Sequence, residues 1–89
     1  MVFVPYVPTP YPVVRAMLKI ASAGPGDVVY DLGCGDGRFL IVAVKEFNVR
    51  KAVGIEIDKE RYKLAVSRIE EEGVSSRAHV VQGDFFNVD

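Results

Sequence analysis

Three carboxylates and three glycines are the residues of this chain whose types and spacing point to chemistry. Asp31, Glu56 and Asp84 stand at the ends of three short runs rich in β-branched residues, at Val28-Val29-Tyr30, Ala52-Val53-Gly54-Ile55 and Ala78-His79-Val80-Val81-Gln82. Gly33, Gly35 and Gly37 follow the first acid at alternate positions and lead into an apolar segment of helical character. Strand, glycine loop and helix in that order is how an α/β sheet holds a nucleotide-like ligand at its carboxyl edge. Glycines there let the backbone turn sharply and let a ligand come closer than a Cβ would allow. Gly37 and Glu56 are 19 residues apart (56 − 37), close to the roughly 20 that separate a glycine loop from a ribose-binding acid. A carboxylate accepts from both vicinal hydroxyls of a ribose, which no neutral side chain does as well. Any one of these acids could as readily be a helix cap or a solvated loop residue. Three in register along one sheet edge favour a shared ligand.

The rival reading is a dinucleotide. Its fingerprint is G-x-G-x-x-G, with an apolar strand end that leaves the helix N-terminus free for a pyrophosphate. Here the spacing is G-x-G-x-G, and Asp31 stands two residues before the first glycine. A carboxylate repels a pyrophosphate and holds an ammonium. The residues therefore favour a ligand with a ribose and a positive group, and S-adenosylmethionine, with its ribose, adenine, α-ammonium and sulfonium, fits.

The elements that would position these residues can be read in order. Residues 1–12 hold Pro5, Pro8, Pro10 and Pro12 among Phe3, Tyr6 and Tyr11. Proline at this density argues against a central strand and predicts an extended, semi-rigid arm. Residues 13–89 then form one half-domain. Val14, Met17, Leu18 and Ala21 recur at helical spacing, and Gly24-Pro25-Gly26 stops that helix. A strand over 27–31, with no alternation, suits burial on both faces. A nearly all-apolar helix from Gly37 to about Phe47 follows, then a strand over 52–57. Asp58 caps a third helix with Tyr62, Ala65, Val66 and Ile69 on one face, Gly73 ends it, and a third strand covers 78–82. Right-handed crossovers make the strands parallel. The expected fold is α/β: a three-layer, Rossmann-like parallel sheet, N-terminal half only, with these strands in the order 3-2-1. The strand Val28–Leu32 would then present an unpaired apolar edge, and such an edge predicts a homodimer through it.

Composition narrows the rest. With 89 residues, 49% hydrophobic and 26% charged, the chain is one small globular unit, and its net charge of −1 gives no strong nucleic-acid signal. Cys34 is the sole cysteine, so no internal disulfide can form. No signal-peptide pattern and no membrane-length apolar run is present, which makes the cytoplasm the default expectation. Abundant Val, Ile, Lys and Glu with few Asn and Gln lean towards a thermophile. Cys34 sits before a helix N-terminus, a setting that can activate a thiol, but no His or second Cys is near it in sequence. His79, the only histidine, falls in a strand and reads as structural, and no clustered ligand set suggests a metal.

With these residues in view, Asp31-Leu32-Gly33-Cys34-Gly35-Asp36-Gly37 resembles the first motif of class I, Rossmann-like S-adenosylmethionine-dependent methyltransferases. Gly54-Ile55-Glu56-Ile57-Asp58 resembles their second motif and Gly83-Asp84-Phe85-Phe86 their third. Tyr6-Val7-Pro8-Thr9-Pro10, ahead of a Val-Val-x-x-Met-Leu helix, resembles the archaeal protein-lysine methyltransferases, small relatives of the non-SET histone-lysine methyltransferases of the disruptor-of-telomeric-silencing family. The resemblance implies roles residue by residue. Asp31 and the Gly33 backbone would hold the methionine ammonium, with Gly35 allowing close approach. Glu56 would accept from the ribose and Ile57 would pack on adenine. Asp84 would accept from the adenine amino group and Phe85 would cover the ring. Tyr6 and Thr9 would close over the methionine carboxylate, with Arg38 a weaker candidate for it. The acceptor would be protein lysine, and residues lining an acceptor channel lie, in the family, mostly after the third strand, so these 89 residues alone are expected to turn over little. The alternatives are a non-catalytic cofactor- or partner-binding module and, further off, an NAD-binding half-domain.

Overall fold

A computed structural model of the chain describes residues 2–5 and 9–84, the first of these segments by its backbone. Its elements are β1 (Val2–Pro5), α1 (Tyr11–Ile20), β2 (Val28–Leu32), α2 (Arg38–Phe47), β3 (Lys51–Glu56), α3 (Lys59–Glu71) and β4 (Ala78–Gln82). All pairings are parallel and the order is β1-β2-β3-β4. The three strands read from the sequence are β2, β3 and β4, adjacent in the expected 3-2-1 order.

The N-terminal arm is the first correction. Val2–Pro5 is a strand, paired in register from Val2 with Val29 to Pro5 with Leu32. Its one proline, Pro5, is compatible with this because β1 lies at the sheet edge, where one row of backbone groups needs no partner, and Pro5 closes the strand. The edge of Val28–Leu32 is consequently occupied, and the expected homodimer through that edge loses its template. In a doubly wound sheet the position beside the first strand of the β-α-β-α-β run belongs to a fourth strand; here β1 takes it. Removing residues 2–5 should expose the β2 edge, so that sedimentation shows concentration-dependent association and Val28–Leu32 amides exchange faster than in the intact chain.

Burial is the second correction. Along β2 and β3 it alternates: Val29, Asp31, Ala52, Gly54 and Glu56 are buried, whereas Val28, Tyr30, Leu32, Val53 and Ile55 are only half-buried. The helices thus cover one face of the sheet, and the described residues make two layers, not three. The apolar run at β2 does not mean burial on both faces in this structure.

On the covered face, α2 buries Phe39 through Val44 without a break, because β2 and β3 lie below it and α1 packs across it with Val14 and Leu18. α3 covers β4 and contributes Ala65 and Ile69. Asp58 caps α3 as its sequence suggests, its side chain accepting from the Arg61 N–H at 2.8 Å. Gly73, at a φ of +71°, turns the chain out of it. No described helix is long and apolar enough to cross a membrane.

Candidate cofactor site at the carboxyl edge

The loop that follows β2 is tied to the end of β3. Gly33 and Cys34 donate their N–H groups to the Ile55 carbonyl at 2.7 and 3.2 Å, and Gly35 donates to Glu56 Oε1 at 2.8 Å. Gly33, Gly35 and Gly37 all have positive φ, at 83°, 57° and 85°. That is the left-handed region, which accounts for glycine at each position. The first turn of α2 then starts from Gly37.

Gly54 is required for a different reason. A Cβ there would lie 2.6 Å from Cys34 Cβ, 2.7 Å from its Sγ and 2.8 Å from Leu40 Cδ1. The glycine loop and α2 therefore rest on bare backbone in β3. Gly54→Ala should push the loop off the strand and destabilise the fold by about 1–3 kcal/mol, read as a lowered denaturation midpoint. The sequence reading had Gly54 in a motif without seeing this contact, which joins residues 20 positions apart.

Glu56 gathers three loops. Its Oε1 accepts from Gly35, its Oε2 from the Asp58 N–H at 2.9 Å, and its backbone carbonyl from the Gly83 N–H at 2.9 Å. The side chain is 2% exposed. Each carboxylate oxygen keeps a further lone pair beyond the bond it already makes. Ile57, the next residue, is 63% exposed, a large apolar side chain left at the strand end.

Asp31 lies on the same buried face of β2 and is 5% exposed. Burial, and then the charge of Glu56, push its carboxyl up from 3.8 to about 7. An acid held this way gains most from a positive group brought to it.

Burial raises the Cys34 thiol as well, to about 12, with Asp31 and Glu56 adding to the effect and outweighing its backbone hydrogen bond. The possibility of an activated thiol at the helix start therefore fails: the side chain is packed under Gly54 instead of facing solvent.

Arg38 is committed elsewhere than the sequence suggested. It donates to both carboxylate oxygens of Asp36, from Nε at 3.1 Å and Nη2 at 2.9 Å, and from Nη1 to the Thr9 carbonyl at 3.0 Å. Thr9 is thereby held beside the glycine loop. Asp84 is half-buried in the loop after β4. Tyr6 and Phe85 lie outside the described residues. Asp31, Gly33, Gly35, Glu56, Ile57 and Asp84 thus share one edge of the sheet, with Thr9 brought there by Arg38. Among the described residues, no group of three or more His, Cys, Asp or Glu could hold a metal.

Comparison with known proteins bears on this edge. The sequence profile of the ANTKMT methyltransferase domain matches residues 31–89. A protein-lysine N-methyltransferase of Saccharolobus islandicus is 60% identical over 97% of this chain and 53% of its own length. The crystal structure of an RNA methyltransferase from Salinibacter ruber in complex with S-adenosyl-L-homocysteine superposes with a TM-score of 0.89 at 46% identity, over 93% of this chain and 54% of that one. A S-adenosylmethionine-dependent methyltransferase from Geobacter sulfurreducens, also in complex with S-adenosyl-L-homocysteine, gives 0.77 at 27% identity, over 86% of this chain and 30% of that one. The chain spans about half the length of the first two of these relatives.

Proposed function

The chain belongs to the ANTKMT methyltransferase domain family, and from that premise we propose that its carboxyl edge binds S-adenosylmethionine as the donor half of a protein-lysine methyltransferase. The observation that carries this reading is Asp31, a carboxyl buried at a strand end beside a glycine loop, with burial and the charge of Glu56 both disfavouring its ionised form. The residues fit the group. Asp31 and the Gly33 backbone would take the ammonium, Glu56 the ribose hydroxyls, Ile57 a face of the adenine, and Asp84 with Phe85 its amino edge. Tyr6 and Thr9 would close over the carboxylate. Arg38 acts on that end indirectly, by holding the Thr9 carbonyl.

Bound there, the cofactor supplies a methyl group on a positive sulfonium. Displacement by a neutral amine disperses that charge, so alignment and exclusion of water matter more than acid catalysis. What these residues contribute is binding and orientation of the donor. Calorimetry of the chain with S-adenosylhomocysteine and with NAD tests the ligand: binding of the first and not the second is expected, and equal affinity would overturn the reading.

Lysine as the acceptor draws on the Saccharolobus relative and on the Tyr6–Pro10 arm. The Salinibacter structure favours a second reading, RNA. Labelled methyl recovered as methyl-lysine after hydrolysis supports the first; label found only in nucleosides supports the second. The cytoplasm remains the proposed location.

A further inference from the structure

Tyr11 is the first residue of α1, where the N-terminal segment joins the helix layer, and three arginines converge on it. Arg38 and Arg15 stack their guanidinium groups over its ring at 5.2 and 5.8 Å, and Arg68 of α3 donates from Nη2 to its hydroxyl at 2.7 Å. Arg68 also donates from Nη1 to Asp36 Oδ2 at 2.8 Å, the oxygen that Arg38 Nη2 reaches from the other side. Asp36 lies between Gly35 and Gly37, inside the loop that Glu56 anchors. Burial alone would raise the Asp36 carboxyl, but the hydrogen bonds from Arg38, with the charges of Arg38 and Arg68, hold it below its ordinary value. The cluster is therefore ionised at neutral pH and partly shielded from solvent.

One chain of contacts thus runs from α3 through Arg68 to Asp36 in the glycine loop, and through Arg38 to the Thr9 carbonyl. A second runs from Arg68 directly to Tyr11. We propose that Arg68 and Tyr11, acting through Asp36 and Arg38, form a latch that fixes Thr9 against the glycine loop and so sets the grip on the carboxylate end of the cofactor. The inference rests on the reading above, in which Thr9 takes part in closing over that carboxylate. Arg68 suits the task because a planar guanidinium serves two acceptors at fixed angles, which an ammonium on a flexible stem does less well. Arg68 and Tyr11 are positioning residues, neither being assigned a contact with the ligand.

The test compares S-adenosylhomocysteine with 5′-methylthioadenosine, which keeps the nucleoside and thioether but lacks the amino-acid end. The wild-type chain should bind the first more tightly. Arg68→Gln should weaken S-adenosylhomocysteine about tenfold or more and leave 5′-methylthioadenosine within about twofold, with Arg68→Lys intermediate. Tyr11→Phe, which keeps the ring and its packing, should weaken S-adenosylhomocysteine less, and adding it to Arg68→Gln should cost nothing further. A wild-type chain that does not distinguish the two ligands would overturn the carboxylate grip itself. A wild-type chain that distinguishes them, with variants that do so equally well, would overturn the latch alone. So would variants that lose both ligands in parallel, since that is the mark of a merely structural role.

Discussion

Asp31→Asn should reduce affinity for S-adenosylhomocysteine by at least about thirtyfold while making the ligand-free chain more stable at pH 8. Both effects follow from one buried carboxyl. Its folded pKa, about 7, lies above the ordinary 3.8. Between those values the folded chain keeps a proton that the unfolded chain releases, so the contribution to stability is fully present below about pH 4 and is lost as pH rises through 7. Asparagine has nothing to ionise and should recover on the order of 2–4 kcal/mol at pH 8, with the gain shrinking towards pH 4. Chemical denaturation of both proteins across that range checks it. Binding runs the other way. An ammonium favours the ionised acid, so affinity in the wild type should climb with pH up to about 7 and then level, and binding below 7 should release a proton. Truncating a buried charge pair costs about 2–5 kcal/mol, the source of the thirtyfold floor. An Asn variant that binds as well as wild type, or that is no more stable at pH 8, would remove Asp31 from the site.

Glu56→Gln should damage the fold where Asp31→Asn stabilises it, although both changes keep the shape of the side chain. Both Glu56 oxygens accept from backbone donors, Gly35 N–H on one side and Asp58 N–H on the other. A glutamine offers one acceptor oxygen and an NH₂ that opposes whichever N–H it meets. A buried donor left unpaired costs about 1–3 kcal/mol. The variant should lose that much stability and, with the glycine loop released, at least about tenfold in affinity for S-adenosylhomocysteine. Amide exchange at Gly35 and Asp58 should quicken ahead of the rest of the chain. Unchanged exchange at Gly35 would show that the side chain does not anchor the loop.

These two acids show how differently the levels of information contribute. Their positions at strand ends, the spacing of the glycines, the Asp58 cap and the all-apolar α2 were legible in sequence because each depends on a local rule: side-chain period, left-handed backbone at glycine, or a cap a few residues from its helix. The same local logic placed the helices and the three strands β2, β3 and β4 in their order. It could not show that β1 forms at all, since a proline-bearing segment becomes a strand only where a neighbour supplies the other half of each hydrogen bond. Nor could it show that the sheet is covered on one face: an apolar run such as Val28-Val29-Tyr30 looks the same whether helices lie on one side or both. The tight seat of Gly54 against Cys34 and Leu40, the bond from Gly35 to Glu56, and the bonds from Arg68 to Asp36 and Tyr11 join residues 14 to 57 positions apart. The sequence by itself determined the elements and the edge at which a ligand would sit. The tertiary structure alone decided what holds that edge in shape, because burial, charge coupling and hydrogen-bond geometry exist only once distant segments meet.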